Sequence, residues 1–136
     1  MKHQRNNKIR VAAVAVAALL AALLAACGAS SKPSYRQITA DEAAQMMKEE
    51  TDFVLLDVRT QEEYASGHIP GAICISNETI GSEEIPELPD KDQLILVYCR
   101  SGNRSKQASD KFAKLGYTNI VEFGGINSWP GEVVSD

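Results

Sequence analysis

Residues 99–105 have the types and the spacing of a reactive-cysteine loop, with Cys99 at its start. The preceding residues 94–98 are continuously apolar, which is typical of a strand buried on both faces of a parallel sheet. Apolar residues at helical spacing follow the loop, so a helix is predicted to begin within it or just after it. The sequence therefore places the thiol at the carboxyl end of a strand, facing the N-terminus of a helix.

A thiol in this position is predicted to ionise readily. The free N–H groups and the positive dipole end of a helix stabilise an anion, and the cations Arg100, Arg104 and Lys106 add to that effect. Gly102 allows a backbone conformation in which successive N–H groups turn inward as an anion-binding nest. The predicted chemistry is a nucleophilic thiolate beside a cradle for an oxyanion. The alternatives are an inert buried cysteine and, for the cations, a solvated basic turn.

Further motifs flank this loop on both sides. In the loop itself four residues separate Cys99 from Arg104. Together with the flanking motifs, it resembles the signatures of the rhodanese-like sulfurtransferases, over nearly all of residues 35–129. The upstream motif comprises residues 55–59, 63–64 and 67–72, and the downstream motif comprises Gly124, Gly125 and Trp129.

The resemblance implies a fold and an activity. The fold would be a rhodanese-like three-layer α/β domain, with a mostly parallel five-stranded sheet and helices on both faces. The activity would be transfer of a sulfane sulfur from thiosulfate or a similar small anionic donor, through a Cys99 persulfide, to a thiol, dithiol or cyanide. Neither a metal nor an organic cofactor is required in that family.

The resemblance also implies roles for individual residues. Cys99 would be the nucleophile, and the loop amides would hold the outer sulfur of the persulfide while arginine side chains orient the donor. For the Arg104 guanidinium, substrate binding and a structural ion pair both remain open. The donor-binding residues would be Arg100, Ser101, Gly102, Asn103 and Arg104, with Ser105, Asp57 and Arg59 as possible supporting residues.

Other polar residues of the motifs favour structural roles. Asp57 follows an apolar strand, where an aspartate is most often a turn or cap residue, and Arg59 is interpreted as its fold-locking partner. His68 lies in a predicted turn and favours a structural role. A general base is not needed, because an ionised thiol attacks a sulfane sulfur without proton removal. Cys74 lies within an apolar strand and is interpreted as a core residue rather than a second reactive thiol.

Strand and helix signals alternate along the chain. Residues 53–58, 72–75, 94–98 and 119–123 are predicted strands, and two capping boxes, Thr39 with Glu42 and Thr60 with Glu63, each predict a helix start. This order predicts a mostly parallel sheet covered on both faces. Ligands bind at the carboxyl ends of such strands, and both Asp57 and Cys99 lie at such ends, so the two motifs that contain them are expected to meet in one crevice.

The N-terminal region is predicted to be a leader rather than part of the domain. Four basic residues precede residues 11–26, which contain only Val, Ala and Leu and are too short for a typical membrane-spanning helix. Residues 24–27 resemble the lipobox of bacterial lipoproteins, in which Cys27 receives a lipid and becomes the N-terminus. The predicted organisation is a signal peptide over 1–26, a lipidated tether over 27–34 and the domain over 35–134. The alternative is a secreted or periplasmic protein with an unmodified Cys27.

Length and charge limit the remaining possibilities. The chain of 136 residues has room for one domain with one core. Loss of residues 1–26 would remove four of the 14 basic residues, leaving 10 against 18 acidic residues and a formal charge of −8. Such a surface disfavours nucleic acid as a partner, and membrane contact is expected only through the lipid. Extracytoplasmic placement in a bacterial cell envelope is therefore expected.

Two rival functions remain at this point. Related domains that act as phosphatases or arsenate reductases have an enlarged loop with arginine six positions after the cysteine, whereas here that position is Ser105. The other rival is a membrane-anchored persulfide carrier or binding module without significant turnover. An intact Cys99 argues against an inactive domain.

Overall fold

The computed structural model describes residues 34–136. Five strands and three α-helices alternate along these residues. The strands are β1 (Arg36–Gln37), β2 (Phe53–Asp57), β3 (Ile73–Cys74), β4 (Leu94–Cys99) and β5 (Ile120–Gly125). The helices are α1 (Ala40–Glu49), α2 (Gln61–Ser66) and α3 (Asn103–Lys114), and short 3₁₀ turns cover Asn77–Thr79 and Ile126–Ser128.

The five strands form one sheet in the order β1-β5-β4-β2-β3. Every pair of neighbouring strands in this sheet is parallel. The predicted α/β class and five-stranded sheet are thus confirmed. Parallel pairing brings the carboxyl ends of β2 and β4 to the same edge, with Asp57 opposite Tyr98.

Each face of the sheet buries a separate apolar cluster. One cluster lies between the sheet and α3, where Val97 and Ile95 of β4 pack with Ala108 and Phe112. The other lies under α1 and α2, where Leu96 and Tyr98 of the same strand pack with helix residues such as Ala43 and Tyr64. Side chains of β4 alternate between these clusters, so every residue of the run is apolar although neighbours face opposite ways.

Both predicted capping boxes are present. The Thr39 hydroxyl accepts a hydrogen bond from the Glu42 amide, and the Glu42 carboxylate accepts one from the Thr39 amide. Thr60 and Glu63 form the same reciprocal pair at the start of α2. These bonds satisfy amides that have no partner inside a helix, and they set where α1 and α2 begin.

The fold departs from the sequence-based expectations at β3 and at β1. The predicted strand over 72–75 is reduced to two residues at the sheet edge, where Cys74 is only half-buried and belongs to neither apolar cluster. The interpretation of Cys74 as a core residue was therefore wrong. β1 has two exposed residues and no apolar pattern, so the sequence did not locate it. It forms because its backbone pairs with Val121 and Glu122 of β5.

The leader prediction, with Cys27 and the tether, falls almost wholly outside the described residues. Within residues 34–136, no helix has the length and apolar character needed to cross a membrane.

Candidate active site

Cys99 is the last residue of β4, and its side chain lies on the α3 side of the sheet with Val97. The residue is 1% exposed. The next three residues turn the chain sharply, and α3 begins at Asn103. The structure therefore has the predicted arrangement of a strand end, a short loop and a helix start around the thiol.

The loop backbone points hydrogen-bond donors at the sulfur. The Gly102 amide donates to Cys99 Sγ at 3.0 Å, and Gly102 has a φ of 115°, a conformation that residues with a Cβ rarely adopt. Burial raises the pKa of the Cys99 thiol. Hydrogen bonds from the Ser105 side chain and from the amides of Ser105, Gly102 and Ser101 outweigh burial, so the net pKa lies below the ordinary thiol value.

The Gly124-Gly125 motif lets the loop approach β5 closely. A Cβ on Gly125 would lie within van der Waals overlap of the Arg100 carbonyl, so only glycine fits there. The register also slips at this point, because Val97 pairs with Glu122 whereas Cys99 pairs with Gly125. This bulge brings the end of β5 under the loop, where the Asn127 amide donates to the Arg100 carbonyl at 3.2 Å.

Arg104 forms a two-pronged ion pair with Glu63 of α2. Its two terminal nitrogens donate to the two carboxylate oxygens at 2.7 and 3.0 Å. The bond from Arg104 lowers the pKa of Glu63 to about 2, and the same bond raises the pKa of Arg104. Of the two roles left open by the sequence, this ion pair is the structural one, and donor binding by Arg104 stays a prediction. The upstream motif thus reaches the cysteine loop through Glu63.

Asp57 and Arg59 lie on the opposite side of the sheet from Cys99. Asp57 pairs in register with Tyr98, whose ring belongs to the α1 cluster. The Arg59 guanidinium donates to both Asp57 oxygens, at 3.0 and 2.7 Å, and to the Gly67 carbonyl at 2.6 Å. Both residues are buried. The two motifs therefore meet through Glu63 and Arg104, whereas the Asp57 side chain points away from Cys99, because successive strand residues point to opposite faces.

The remaining predicted loop residues lie at the surface. The side chains of Arg100, Ser101, Asn103 and Lys106 are exposed. Among residues 34–136, Arg100 and Lys106 have no ion-pair partner. An exposed cation next to a buried thiol attracts small anions to the mouth of the loop.

Glu122 of β5 is a site residue that the sequence analysis missed. It is 2% exposed and lies on the Cys99 side of the sheet, opposite Val97. Its Oε1 accepts hydrogen bonds from the Ser105 hydroxyl at 2.6 Å and from the Gly124 amide at 2.7 Å. The signal was a single carboxylate within an otherwise apolar strand, since a charge is rarely buried without a specific partner.

In the part of the chain that the structure describes, no group of three His, Cys, Asp or Glu side chains could hold a metal ion.

Cys74 does not face Cys99, because it pairs in register with Asp57 on the other side of the sheet. Burial raises the pKa of Cys74, opposite to the net shift at Cys99. The two thiols are therefore chemically distinct.

With this geometry established, comparison with known proteins identifies the family. The rhodanese-like domain matches residues 39–132. The chain belongs to the rhodanese-like domain family, and its resemblance to that family is confirmed.

Several relatives are named sulfurtransferases. The thiosulfate sulfurtransferase PspE of Escherichia coli (strain K12) is 35% identical over 71 residues, which cover 52% of this chain and 68% of that protein. A sulfurtransferase of Allochromatium vinosum is 35% identical over 94 residues, covering 68% of this chain and 86% of that one. A solved structure of an E. coli rhodanese with anions superposes with a TM-score of 0.56 and 31% identity, over 61% of this chain and 98% of that chain.

Proposed function

We propose that this protein is a rhodanese-type sulfurtransferase that carries a sulfane sulfur on Cys99. The observation that carries the proposal is the Gly102 amide at 3.0 Å from Cys99 Sγ, together with the lowered pKa of that thiol. Relatives named thiosulfate sulfurtransferase support the same activity. Thiosulfate is the proposed donor.

In the first half-reaction the Cys99 thiolate attacks the outer sulfur of thiosulfate. A new S–S bond forms, the sulfur–sulfur bond of thiosulfate breaks, and sulfite leaves with its electron pair. The negative charge then lies on the outer sulfur of a Cys99 persulfide, where the loop amides and Arg100 stabilise it. Arg100 also attracts the donor oxygens as they enter.

In the second half-reaction a thiophile attacks the outer persulfide sulfur. With cyanide the product is thiocyanate, and with a thiol it is a new persulfide on the acceptor. The Cys99 thiolate is the leaving group, and the hydrogen bonds that lower its pKa make it a good one.

The size of the loop favours sulfur over phosphate or arsenate. The position that carries arginine in the enlarged loops is here Ser105, which is fully buried and bonded to Glu122. Arg104 is turned away to Glu63. Phosphate or arsenate therefore lacks the arginine that binds it in the enlarged loops, whereas the outer sulfur of a persulfide needs only the amides.

The decisive experiment measures sulfite and thiocyanate production from thiosulfate and cyanide, with the intact mass of the thiosulfate-treated protein. The wild type is expected to turn over and to gain one sulfur on Cys99. Cys99→Ala is expected to lose both turnover and the added mass. Cys74→Ala is the matched control, and it should keep both because Cys74 lies on the other face of the sheet.

The alternative is a persulfide carrier that serves one partner. It shares the first half-reaction but not the second, so a Cys99 persulfide without thiocyanate production would favour it. Absence of both product and adduct would contradict the thiosulfate mechanism and return attention to oxyanion chemistry or to simple binding.

We also propose that the domain is held at a bacterial envelope membrane by a lipid on Cys27, after cleavage of residues 1–26. The support is the sequence of residues 24–27 behind a basic and apolar leader. Cell fractionation of the wild type and Cys27→Ser tests this proposal. The wild type should sediment with membranes and Cys27→Ser should not, and equal sedimentation of both would contradict it.

A further inference from the structure

The hydroxyl of Ser105 lies between two groups that compete for it. Its oxygen is 2.6 Å from Glu122 Oε1 and 3.4 Å from Cys99 Sγ. It also approaches the carbonyls of Gly102 and Gly124, at 3.0 and 3.2 Å. A hydroxyl has one hydrogen to donate, so it cannot serve all of these acceptors at once. The shortest contact assigns that hydrogen to Glu122.

The direction of the Ser105–Glu122 hydrogen bond determines how Ser105 can bond to the Cys99 thiol. When Ser105 donates to Glu122, the Ser105 oxygen is left as an acceptor toward Cys99, and the fitting donor is the Cys99 S–H group. Both hydrogen bonds are then donated in the same direction, from Cys99 to Ser105 and from Ser105 to Glu122. A thiolate requires the reverse direction, since it has no hydrogen and needs one from Ser105.

Electrostatics points to the same conclusion. Cys99 and Glu122 are 1% and 2% exposed, and one hydroxyl separates them. Two negative charges this close and this poorly solvated repel strongly, so a coupled pair tends to hold one proton between them. Within the described residues, no cation forms an ion pair with Glu122.

We propose that Glu122 accepts the thiol proton of Cys99 through the Ser105 hydroxyl, so that the thiolate forms beside a neutral carboxyl. The Cys99 S–H bond breaks and its proton binds Ser105 Oγ, while the Ser105 O–H bond breaks and that proton binds the Glu122 carboxylate. Each electron pair stays on the atom that loses its proton. The net charge of the three groups remains −1, and Ser105 now donates to the thiolate.

Two other titratable groups interact electrostatically with Glu122 or Cys99. Tyr35 lies ahead of β1, and its pKa is raised first by burial and then by Asp110 and Glu122. Arg104 in α3 is the cation whose pKa responds to the charge on Cys99, but its hydrogen bonds go to Glu63. Because the Ser105 hydroxyl lies between Glu122 and Cys99, Glu122 acts on the nucleophile through Ser105 and does not contact the donor, so it is a positioning residue.

The inference rests on Cys99 being the nucleophile, but its test reads only the ionisation of the thiol and needs no sulfur donor. The test is infrared difference spectroscopy of the full chain before and after alkylation with iodoacetamide, at a pH where ultraviolet absorbance shows Cys99 as thiolate. The expected result is a protonated-carboxyl band that disappears on alkylation, because Glu122 loses its proton once the sulfur is neutral.

Two variants and one isotope label assign the band. Glu122→Gln and Cys99→Ala should both lack it, the latter also accounting for alkylation at other cysteines. Carbon-13 in the glutamate carboxyl groups should shift the band in the wild type, which assigns it even if Glu122→Gln fails to fold. No band from the thiolate protein, a band insensitive to the label, or a band that persists in Glu122→Gln would each overturn the proposal. Failure of sulfur transfer would leave this result unaffected.

Discussion

The two faces of the sheet use the end of a strand in opposite ways. On the α1 side, Asp57 is the last residue of β2, and the Arg59 guanidinium donates to both of its carboxylate oxygens. On the α3 side, Cys99 ends β4 and is met by backbone amides, while the nearby Arg100 remains exposed and without an ion-pair partner among residues 34–136.

The difference lies in what satisfies the charge. A carboxylate held by a planar guanidinium has its partner inside the fold, and such a pair stabilises structure and leaves little capacity for a ligand. A thiolate held by backbone amides and the Ser105 hydroxyl has no guanidinium paired with it, so its nucleophilic lone pairs stay available for attack. Residue type and partner, rather than position at the strand end, therefore separate the structural site from the reactive one.

Replacing the nucleophile is the largest test of this comparison. Cys99→Ser should reduce thiocyanate production to background, because a serine hydroxyl does not ionise in this loop and forms no persulfide. Its thermal unfolding should remain close to that of the wild type. Retained turnover in Cys99→Ser would show that the reactive group lies elsewhere.

Disrupting the Asp57–Arg59 pair on the other face should reduce stability and leave donor binding unchanged. Asp57→Asn leaves the Arg59 guanidinium buried without its countercharge, and we expect a loss of about 3–5 kcal/mol in the free energy of unfolding. Urea denaturation measures this loss. Under conditions where Asp57→Asn is still folded, its KM for thiosulfate should match that of the wild type, and a selective rise in KM would place Asp57 in the donor site.

The Glu63–Arg104 pair joins the two regions, and its contribution should depend on pH. Glu63 has a folded pKa of about 2, below its value in an unfolded chain, so the pair stabilises the fold above about pH 4 and loses that effect as pH falls toward 2. Because the pair is partly exposed, Glu63→Gln should cost about 1 kcal/mol at pH 7.

That cost should be smaller at pH 3 than at pH 7 and should approach zero only near pH 2, where the folded-state carboxyl loses its charge. Urea denaturation at pH 7 and pH 3 gives the comparison. An equal cost at both values would show that Glu63 stabilises the loop by packing rather than by charge.

Exposed cations of the loop should give the smallest effect. Arg100→Ala is expected to raise the KM for thiosulfate by about threefold to tenfold with little change in kcat, since the side chain attracts the donor from a solvated position. Lys106→Ala is the matched control one turn along α3 and should change KM less. Added salt should narrow the gap between wild type and Arg100→Ala, and a gap unaffected by salt would argue for a direct contact.

Local signals made much of this fold predictable. Residues 53–56 and 94–98 are apolar without interruption because both faces of the sheet are covered. The Thr39 and Thr60 capping boxes mark helix starts through bonds spanning three residues. Cys99 could be placed because strand, loop and helix follow one another directly. Each of these features depends on neighbours in the chain.

Features that depend on residues distant in the sequence were harder to predict from the sequence. β1 has no pattern of its own, because its stability comes from pairing with a strand more than 80 residues later. The facing of Asp57 away from Cys99 depends on register between strands, and a shift of one residue would reverse it. Glu122 was visible as a charge in an apolar strand, but its partner Ser105 lies on a separate helix and meets it only through the bulge before Gly125.

The strand order also affects how the chain acquires its structure during synthesis. β5 sits between β1 and β4, so the second strand of the sheet order is the last one made. A nascent chain that ends before Ile120 leaves one edge of β4 unpaired and leaves β1 without its partner. Because these pairings span long stretches of sequence, the sheet closes only after almost the whole domain has left the ribosome. Until then the polypeptide remains open to chaperones and proteases.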